Sequence, residues 1–332
     1  MIFFSCSAQE KELKVLQFNI WQEGTVVEVG FDAIVDNILN VNPDLVTFSE
    51  VRNYNNVNFI RHITDALKKE GAEYYGNSSE STGIISKYPI LNQIVIFPYI
   101  NDQGSVIKAI IDFHGKKISL YSAHLDYKHY ACYLPRGYSG YTWEKLDKPV
   151  TDADSILKAN RKSKRLDAVK EIISDAEQDI EKGHLIIIGG DFNEPSHLDW
   201  TSRTRNLWDH NDAIVEWDCS KLLYEQGYKD AYREYFPDEV NYPGFTFPSD
   251  NPDVPISKLT WAPDADERER IDFIYYYPSQ NLTLKDVTVV GPSSSIVRSN
   301  RMEEEESDDL FIAPDGVWPT DHKAVLAWFI IK

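Results

Sequence analysis

The chain has 332 residues, 42% hydrophobic and 13% aromatic, so it can bury a sizeable core in one large domain or two average ones. Its formal net charge of -19 at pH 7 means that the average surface repels nucleic acid and anionic membranes. This charge disfavours a processive or non-specific nuclease, although it is compatible with a local basic cleft. The three cysteines show neither a metal-binding spacing nor a disulfide framework.

The first ten residues, MIFFSCSAQE, place Cys6 after a short apolar stretch and before a polar one. This order is typical of a bacterial lipoprotein processing site, but the basic start and most of the apolar core of such a signal are missing. Two interpretations stay open. Residues 1–11 are the remnant of an export signal, with a lipid on Cys6 that attaches the protein to the bacterial cell envelope or surface, or they are the tail of a cytoplasmic protein.

Taken in chain order, the apolar pattern predicts alternating strands and helices. It predicts a strand over 11–21, a helix over 31–39 that Asn42-Pro43-Asp44 ends, a strand over 45–51, a helix over 59–69, and strands near 81–90, 105–113 and 117–124. Further on, it predicts a helix within 160–182, a buried strand over 184–190, and late strands over 270–277 and 322–331. This mixture favours a layered fold over an all-helical one.

Nothing in the composition divides the chain, since it contains neither an internal repeat nor a Gly/Ser linker. We therefore expect a single catalytic domain over residues 12–332, with insertions at 127–159 and 197–218. Polar side chains recur at the ends of the apolar strands in six places. They are Asn19, Glu50, His124, Asp191 with Asn193, Asp272, and Asp321 with His322. One such residue is a strand cap, but six indicate that one end of a stack of sheets bears an active site.

The same positions carry a set of short motifs in a fixed order. They are QFNIW (17–21), SEV (49–51), GIISKYPI (83–90), SAHLD (122–126), GGDFNEP (189–195), RIDFIY (270–275) and TDHKAV (320–325). With these motifs the chain resembles the endonuclease/exonuclease/phosphatase superfamily, the DNase I-like phosphoesterases. The resemblance implies an α+β fold, a four-layer α/β/β/α sandwich of two packed, mostly antiparallel sheets flanked by helices.

The residue types suit the hydrolysis of a phosphoester, whose anionic oxygens repel a nucleophile. A hard divalent cation held by oxygen ligands helps to overcome that repulsion. The resemblance implies that Glu50 is a ligand of Mg²⁺ or Mn²⁺. We expect Asn19 to supply an amide oxygen beside it and Asp321 to complete the site, either directly or through water.

The attacking water must be oriented and must lose a proton. Asp191 is one candidate base, with Asn193 orienting the water or the phosphate. His322 is the second candidate, and the resemblance implies that Asp272 holds its imidazole in one orientation. The sequence does not decide between the two bases. We expect His124 to bind a non-bridging oxygen or to assist the leaving group.

The insertion 127–159 is rich in aromatic and basic residues, among them Tyr127, Arg136 and Trp143. Loops of this length inside a domain are usually functional. We expect it to form a lid or wall in which aromatic faces stack on a ring-shaped leaving group and basic residues meet the phosphate. The alternative is a locally packed loop that uses its tyrosines as its own core.

A basic stretch, NRKSKR, begins the helix predicted within 160–182. The family pattern places a substrate-binding arginine near here, and its register is ambiguous between Arg161 and Arg165. The alternative is a solvated basic face.

These features favour a secreted or surface-anchored, Mg²⁺-dependent phosphoesterase that hydrolyses a small or lipid-linked phosphoester by activated-water attack. The alternative is a nuclease that cleaves nucleic-acid phosphodiesters, which requires a basic stripe with interleaved aromatic residues. A third hypothesis is a non-catalytic binding protein that retains the fold.

Overall fold

The structure is a computed structural model that describes residues 10–303 and 307–332, so Cys6 and the lipid predicted on it lie outside the described residues. The strands are β1 (Lys11–Asn19), β2 (Leu45–Val51), β3 (Tyr75–Gly76), β4 (Ser81–Ser86), β5 (Ile90–Phe97), β6 (Gly104–Phe113), β7 (Lys116–Leu125), β8 (Leu185–Asp191), β9 (Lys229–Asp230), β10 (Asp272–Tyr276), β11 (Leu282–Val290), β12 (Ser295–Val297), β13 (Asn300–Met302), β14 (Phe311–Ile312) and β15 (Ala324–Ile331). The α-helices are α1 (Gly30–Val41), α2 (Phe59–Lys69), α3 (Ala153–Asn160), α4 (Arg165–Glu181), α5 (Asp218–Glu225) and α6 (Ala231–Tyr235).

The large strands form two sheets. The first has the order β14-β11-β15-β1-β2-β4-β3 and the second the order β5-β6-β7-β8-β10-β9, while β12 and β13 pair separately. Within the two sheets, neighbouring strands are antiparallel except for three parallel pairs, β1 with β2, β7 with β8 and β11 with β14. The prediction of two mostly antiparallel sheets is therefore confirmed.

The side-chain pattern of β1 shows how the layers form. Leu13 and Val15 point between the two sheets, whereas Leu16 and Phe18 pack against the apolar faces of α1 and α2. Because side chains alternate along a strand, one strand covers both the inner core and an outer helical layer. The second sheet is covered on its outer face by α4, which packs on β7 and β8. The four-layer sandwich follows from these contacts.

The helix predicted within 160–182 is correct over most of its length, but its first turn is wrong. The structure has two helices here, α3 ending at Asn160 and α4 beginning at Arg165, with turns between them. Within the described ranges 10–303 and 307–332, no helix combines the length and the apolar character that crossing a bilayer requires.

Candidate active site

Three neighbouring strands of the second sheet place three polar side chains in one row. His124 at the end of β7 lies opposite Asp191 at the end of β8, because these strands are parallel and in register. Asp191 in turn lies opposite Asp272, the first residue of the antiparallel strand β10. Strand register alone therefore brings together residues that are up to 148 positions apart, the separation of His124 from Asp272 in the sequence.

The first sheet supplies the opposite side of the site. Asn19 ends β1, and Glu50 lies at an irregularity of β2, where its register with β4 shifts between Ser49 and Val51. Glu50 has a φ of 71°, in the left-handed region, which costs a non-glycine residue roughly 1–3 kcal/mol. The bulge changes the direction of the side chain so that Glu50 lines the pocket at the end of the strands.

The hydroxyl of Ser49 ties the two sheets together directly beneath the site. Its Oγ donates to the carbonyl oxygen of Ala123 at 3.1 Å and accepts from the backbone N–H of Asp191 at 3.2 Å. Gln17 Nε2 donates to the same Oγ at 3.1 Å. The sequence analysis did not identify Ser49 and Gln17 as site residues. The signal was present, because both are polar residues inside otherwise apolar strands.

His322 is held by carboxylates on several sides. Its Nδ1 lies 2.8 Å from Asp272 Oδ2, and its Nε2 lies 3.9 Å from Asp191 Oδ2 and 4.0 Å from Asp321 Oδ1. Burial alone would lower the pKa of His322, but the charge of Asp272 and the hydrogen bond to it, together with the other two carboxylates, raise it to about 10. The surrounding carboxylates therefore favour the imidazolium form of His322.

The carboxylates themselves are crowded and buried. Burial and the charge of Asp272 raise the pKa of Asp191 to about 8. Burial raises the pKa of Asp321 to about 7, although His322 opposes this effect. Carboxyl groups that hold protons this firmly are typical of sites in which a cation compensates the charge. The donor set of this pocket thus fits a divalent metal ion.

His124 is buried, and its environment keeps it neutral. Its Nδ1 lies 3.0 Å from Ser81 Oγ. Burial and the nearby charge of Arg52 lower the pKa of His124 to about 3. When Ser81 donates to Nδ1, the hydrogen is on Nε2, which can donate a hydrogen bond into the pocket.

Two sets of side chains compete as metal ligands. Asp191, Asp272 and His322 have potential ligand atoms within 4.8 Å of one another. In that set, however, Asp272 and Nδ1 of His322 are already bonded to each other, and hard cations such as Mg²⁺ prefer oxygen. Glu50 and Asp321 line the same pocket and offer carboxylate oxygens.

The arrangement of Asn19 contradicts its predicted role as an oxygen ligand. Its Nδ2 faces the site, at 2.9 Å from Asp191 Oδ2 and 3.4 Å from Glu50 Oε1. Its Oδ1 accepts a hydrogen bond from the backbone N–H of Trp21 at 3.0 Å. If the amide were turned round, its NH₂ group would face the backbone N–H of Trp21, and both are donors. Asn19 therefore acts here as a hydrogen-bond donor to the carboxylates.

These groups open into a cavity of about 290 Å³. Asn193 lines it, and its Nδ2 donates to the carbonyl oxygen of Leu125 at 3.0 Å. Arg52 also lines the cavity. Among the described residues, no other arginine or lysine lines it. The guanidinium of Arg52 lies 3.4 Å from Asp102 and 3.8 Å from Glu50. The sequence analysis missed Arg52, although it immediately follows the SEV motif.

Aromatic residues form one wall of the cavity. Tyr127 and Trp143 line it, as do Tyr130 and Tyr133 of the same insertion. One part of the insertion is a locally packed loop, and another part lines the cavity as a wall. Tyr130 and Tyr133 are buried in a local apolar cluster, whereas Tyr127 is 37% exposed at the cavity.

Arg136 does not reach the cavity, which contradicts its predicted contact with the substrate. The side chain is fully buried, and its guanidinium forms an ion pair with Glu269 at 2.7 Å. The other donors bind backbone carbonyl oxygens, including those of Cys132 and Asp266. Arg136 therefore fastens the insertion to the segment that precedes β10.

Arg165 and Arg161 are also misplaced by the sequence analysis. Arg165 is buried, with its guanidinium bonded to the carbonyl oxygens of Asp126 and Lys128 and 3.4 Å from Glu194. Arg161 is exposed and pairs with Asp218 at 2.7 Å. Neither lines the cavity, because both are engaged by partners elsewhere.

Comparison with known proteins agrees with this architecture. A model of the Endonuclease/Exonuclease/phosphatase family matches residues 16–322. An uncharacterized protein of Caenorhabditis elegans is 31% identical over 332 residues, covering 95% of this chain and 90% of that protein.

Solved structures share the fold at low sequence identity. Truncated Caenorhabditis elegans TDP2 has a TM-score of 0.52 and 19% identity, with 96% of this chain and 97% of that chain covered. D. rerio TDP2 complexed with a single strand DNA product has a TM-score of 0.51 and 16% identity over 96% and 98% of the two chains. The human Nocturnin catalytic domain has a TM-score of 0.53 and 16% identity over 97% and 94%. The chain belongs to the endonuclease/exonuclease/phosphatase family, the metal-dependent hydrolases of phosphoester bonds.

Proposed function

We propose that this protein hydrolyses a small or lipid-linked phosphoester in the cavity at the end of the two sheets. The observation that carries the proposal is the convergence of Asp191, the Asp272–His322 pair and Glu50 on one cavity of about 290 Å³. A cavity of this size accommodates a phosphoryl group with one small substituent. It is lined by four carboxylates and one arginine, which argues against a long polyanionic substrate.

We assign the divalent cation, with Mg²⁺ as the first choice and Mn²⁺ as the alternative, to Glu50 and Asp321. When bound, the cation neutralises phosphoryl oxygens and so permits attack by water. Arg52 beside Glu50 is the candidate to bind a further phosphoryl oxygen, since guanidinium groups suit phosphate geometry.

The proton balance assigns Asp191 as the base. The carboxylates of Asp272, Asp191 and Asp321 favour the protonated form of His322, which makes it the weaker candidate base. A bound cation would lower the raised pKa of Asp191, so that its ionised carboxylate could take the proton of the attacking water. His322 then stabilises the negative charge that develops on phosphorus oxygens, and Nε2 of His124 donates to another of them.

A nuclease remains the second candidate function. It is favoured by the D. rerio structural relative, which was crystallised with a single strand DNA product. The two functions differ in the substrate that the protein must hold. A nucleic-acid strand extends beyond the cavity and needs cations along its path, whereas a small phosphoester is enclosed.

A panel of phosphoesters tests the proposal. The purified chain is assayed with Mg²⁺, with Mn²⁺ and with EDTA on phosphomonoesters, on small phosphodiesters and on supercoiled plasmid at low salt. We expect metal-dependent release from a small ester and no nicking of plasmid. Nicking without small-ester hydrolysis would favour the nuclease. The variant Asp191→Asn serves as the inactive control, because an amide cannot accept the proton.

A further inference from the structure

A buried carboxylate beside the cavity has no role in the chemistry proposed above. Glu23 is 8% exposed and lies in the turn that follows β1. Its Oε1 accepts hydrogen bonds from the backbone N–H groups of Arg52 at 2.8 Å and Asn53 at 2.7 Å. Its Oε2 lies 3.4 Å from the backbone nitrogen of Tyr54. A buried carboxylate is costly unless it is hydrogen-bonded, and these bonds all go to the segment that follows Glu50.

The same two segments, 21–23 and 50–54, are also bonded in the opposite direction. The backbone N–H of Gln22 donates to Glu50 Oε2 at 3.0 Å. The backbone of the first segment therefore holds a carboxylate of the second, and the carboxylate of Glu23 holds the backbone of the second. Capping boxes at helix N-termini use a reciprocal arrangement of this kind to fix two groups at once. Here the arrangement fixes the tip of β1 relative to the tip of β2.

Both segments have a backbone conformation that is unfavourable in isolation. The angle φ is 38° at Trp21, 56° at Gln22 and 63° at Glu23, and it is 71° at Glu50. A protein keeps such left-handed values at residues with a Cβ atom only where the surrounding contacts determine them. The reciprocal bonds are contacts of that kind, because they join the two strained segments to each other. Strain that is held in this way is typical of functional sites.

The segment that Glu23 holds carries two groups of the proposed reaction. Glu50 is the assigned ligand of the cation, and Arg52, whose guanidinium lies 3.8 Å from the Glu50 carboxylate, is the candidate to bind a phosphoryl oxygen. Trp21 and Gln22 of the other segment line the same cavity. Loss of the bonds to Glu23 would release the backbone that directs the Glu50 side chain into the cavity.

We propose that Glu23 is a positioning residue that sets the affinity of the site for the divalent cation. It acts through its hydrogen bonds to the backbone of Arg52 and Asn53, and not through its negative charge. The proposal rests on the proposed function, because it takes Glu50 as a ligand of the cation. Replacing a group that orients a metal ligand without touching the metal changes metal affinity or activity by roughly 10–100-fold.

Two substitutions separate hydrogen bonding from charge. Glu23→Gln removes the charge but keeps Oε1, the oxygen that accepts both of the shorter bonds. Glu23→Asp keeps the charge, but its side chain is one methylene shorter and cannot reach both N–H groups unless the backbone moves. Neither substitution adds volume to the core. Glu23→Ala repeats the loss of reach if Glu23→Asp folds poorly.

Binding of the metal alone is the first measurement. Differential scanning fluorimetry over a series of Mn²⁺ concentrations gives an apparent Kd without turnover. We expect Glu23→Asp to raise this Kd by roughly 10–100-fold and Glu23→Gln to change it by less than about twofold. A Kd at the wild-type value in Glu23→Asp would overturn the inference. So would a Kd that rises as much in Glu23→Gln as in Glu23→Asp, because charge would then be the cause.

The metal dependence of turnover is the second measurement. The Mg²⁺ concentration for half-maximal hydrolysis of a phosphoester should follow the same order as the Kd values. Saturating Mg²⁺ should restore most of the kcat of Glu23→Asp, which a general loss of structure would not allow. A kcat that stays low at saturating Mg²⁺ would contradict a role confined to the cation site.

Asp44→Ala is the matched control for stability. Asp44 is also a carboxylate that accepts a backbone N–H, from Lys14 at 2.8 Å, but it does so near the other end of β1. Its loss should lower the melting temperature and leave the metal constants unchanged. A Kd raised as much in this control as in Glu23→Asp would show that metal binding follows any loss of stability, and would overturn the inference.

These measurements keep the inference distinct from the proposed function. If the Kd values of the Glu23 variants are equal to that of the wild type while esters are hydrolysed, the inference fails and the proposed function stands. If the Kd values follow the expected order but no ester is hydrolysed, the inference is supported and the proposed function fails alone. A wild-type protein that binds neither Mn²⁺ nor Mg²⁺ would refute both.

Discussion

One imidazole and its carboxylates determine the electrostatics of the site at the residue scale. His322 is predicted correctly as part of the constellation because it adjoins Asp321 in a recognisable motif. The sequence could not show the combined effect of three carboxylates on the pKa of His322, since Asp191, Asp272 and Asp321 come from different segments of the chain. That effect favours the charged form of His322, and it leads to the assignment of Asp191 as the base.

Replacing Asp272 by asparagine tests this assignment. Asp272→Asn keeps the size of the side chain but removes its charge, so the pKa of His322 should fall from about 10 towards its ordinary value. We expect kcat/KM to fall roughly a thousandfold or more, as when an imidazole loses its orienting carboxylate. NMR titration of the histidine ring protons measures the pKa of His322, and steady-state kinetics at saturating metal measure kcat/KM.

The control for this variant is Asp175→Asn, because Asp175 binds Lys108 and Tyr121 outside the cavity. Its kcat/KM should stay at the wild-type value. Wild-type kinetics in Asp272→Asn would instead show that the charge on His322 is irrelevant to the reaction.

The arginines show why burial is hard to read from a sequence at this scale. Arg136 was expected to meet phosphate, yet its partner Glu269 lies 133 positions further along the chain. A basic residue in a loop looks the same whether it faces solvent or a distant carboxylate. The oxygen and imidazole residues were easier to place, because each follows or precedes an apolar strand whose end fixes its position.

At the scale of elements, Gly189 near the end of β8 allows the two sheets to approach closely. A Cβ atom on Gly189 would lie 2.2 Å from Thr47 Oγ1 in β2, far closer than atoms tolerate. The two sheets therefore approach closely just before Asp191, which lets side chains from both reach one cavity. Gly190 has a different cause, because a Cβ atom there would lie 2.5 Å from the carbonyl oxygen of Ala123 in the neighbouring strand β7.

The variant Gly189→Ala tests this explanation. The added methyl group should push β8 away from β2, lowering the free energy of unfolding by about 1–3 kcal/mol and displacing Asp191. Urea denaturation measures the first effect and kcat the second. The double variant Gly189→Ala with Thr47→Ala removes the colliding hydroxyl and should regain part of both. A double variant no better than the sum of the two single changes would argue against the steric cause.

Many of the long strands and the helices α1, α2 and α4 were predictable because their apolar patterns are long and regular. The nine-residue strand β11, the short strands and the helices α3, α5 and α6 were not predicted. The edge strand β5 was not predicted as a separate element, since much of its surface is exposed and its alternation is weak. The predicted helix within 160–182 began too early because the turn between α3 and α4 was not recognised, and α3 itself was assigned to the insertion 127–159. The turn there delivers Arg165 to the carbonyl oxygens of Asp126 and Lys128, a tertiary reason that local sequence does not carry.

At the scale of the whole molecule, stability depends on pH and on metal through the same side chains. Asp191 and Asp321 have folded-state pKa values above those of the unfolded chain, as does His322. The folded state then binds more protons than the unfolded state, so the stability these groups contribute is greatest at low pH. It is lost as the pH rises from the unfolded-chain values, 3.8 for the two carboxyl groups and 6.5 for the imidazole, to the folded-state values of about 7, 8 and 10.

We therefore expect the melting temperature of the chelated protein to be lower at about pH 8 than at about pH 6. Added Mg²⁺ should raise it more at the higher pH, because the cation competes with protons for the same carboxylates. Differential scanning fluorimetry in matched buffers with EDTA or Mg²⁺ measures both. Asp191→Asn should weaken the pH dependence. A metal-induced shift of equal size at both pH values would contradict the linkage.

The hydroxyl of Ser49 has a consequence for how the enzyme can fail. Each of the two sheets contains strands from the first 125 residues and strands from the rest of the chain. The Ser49 hydroxyl joins the two sheets, because it lies in the first sheet and bonds the backbone of Ala123 and Asp191 in the second. Because Asn19 and Glu50 come from one sheet and Asp191 from the other, a slight displacement of one sheet relative to the other would separate them and should reduce activity. The turnover rate should therefore depend on the relative position of the two sheets. We expect mild denaturant to abolish turnover at a lower concentration than the one that unfolds the protein.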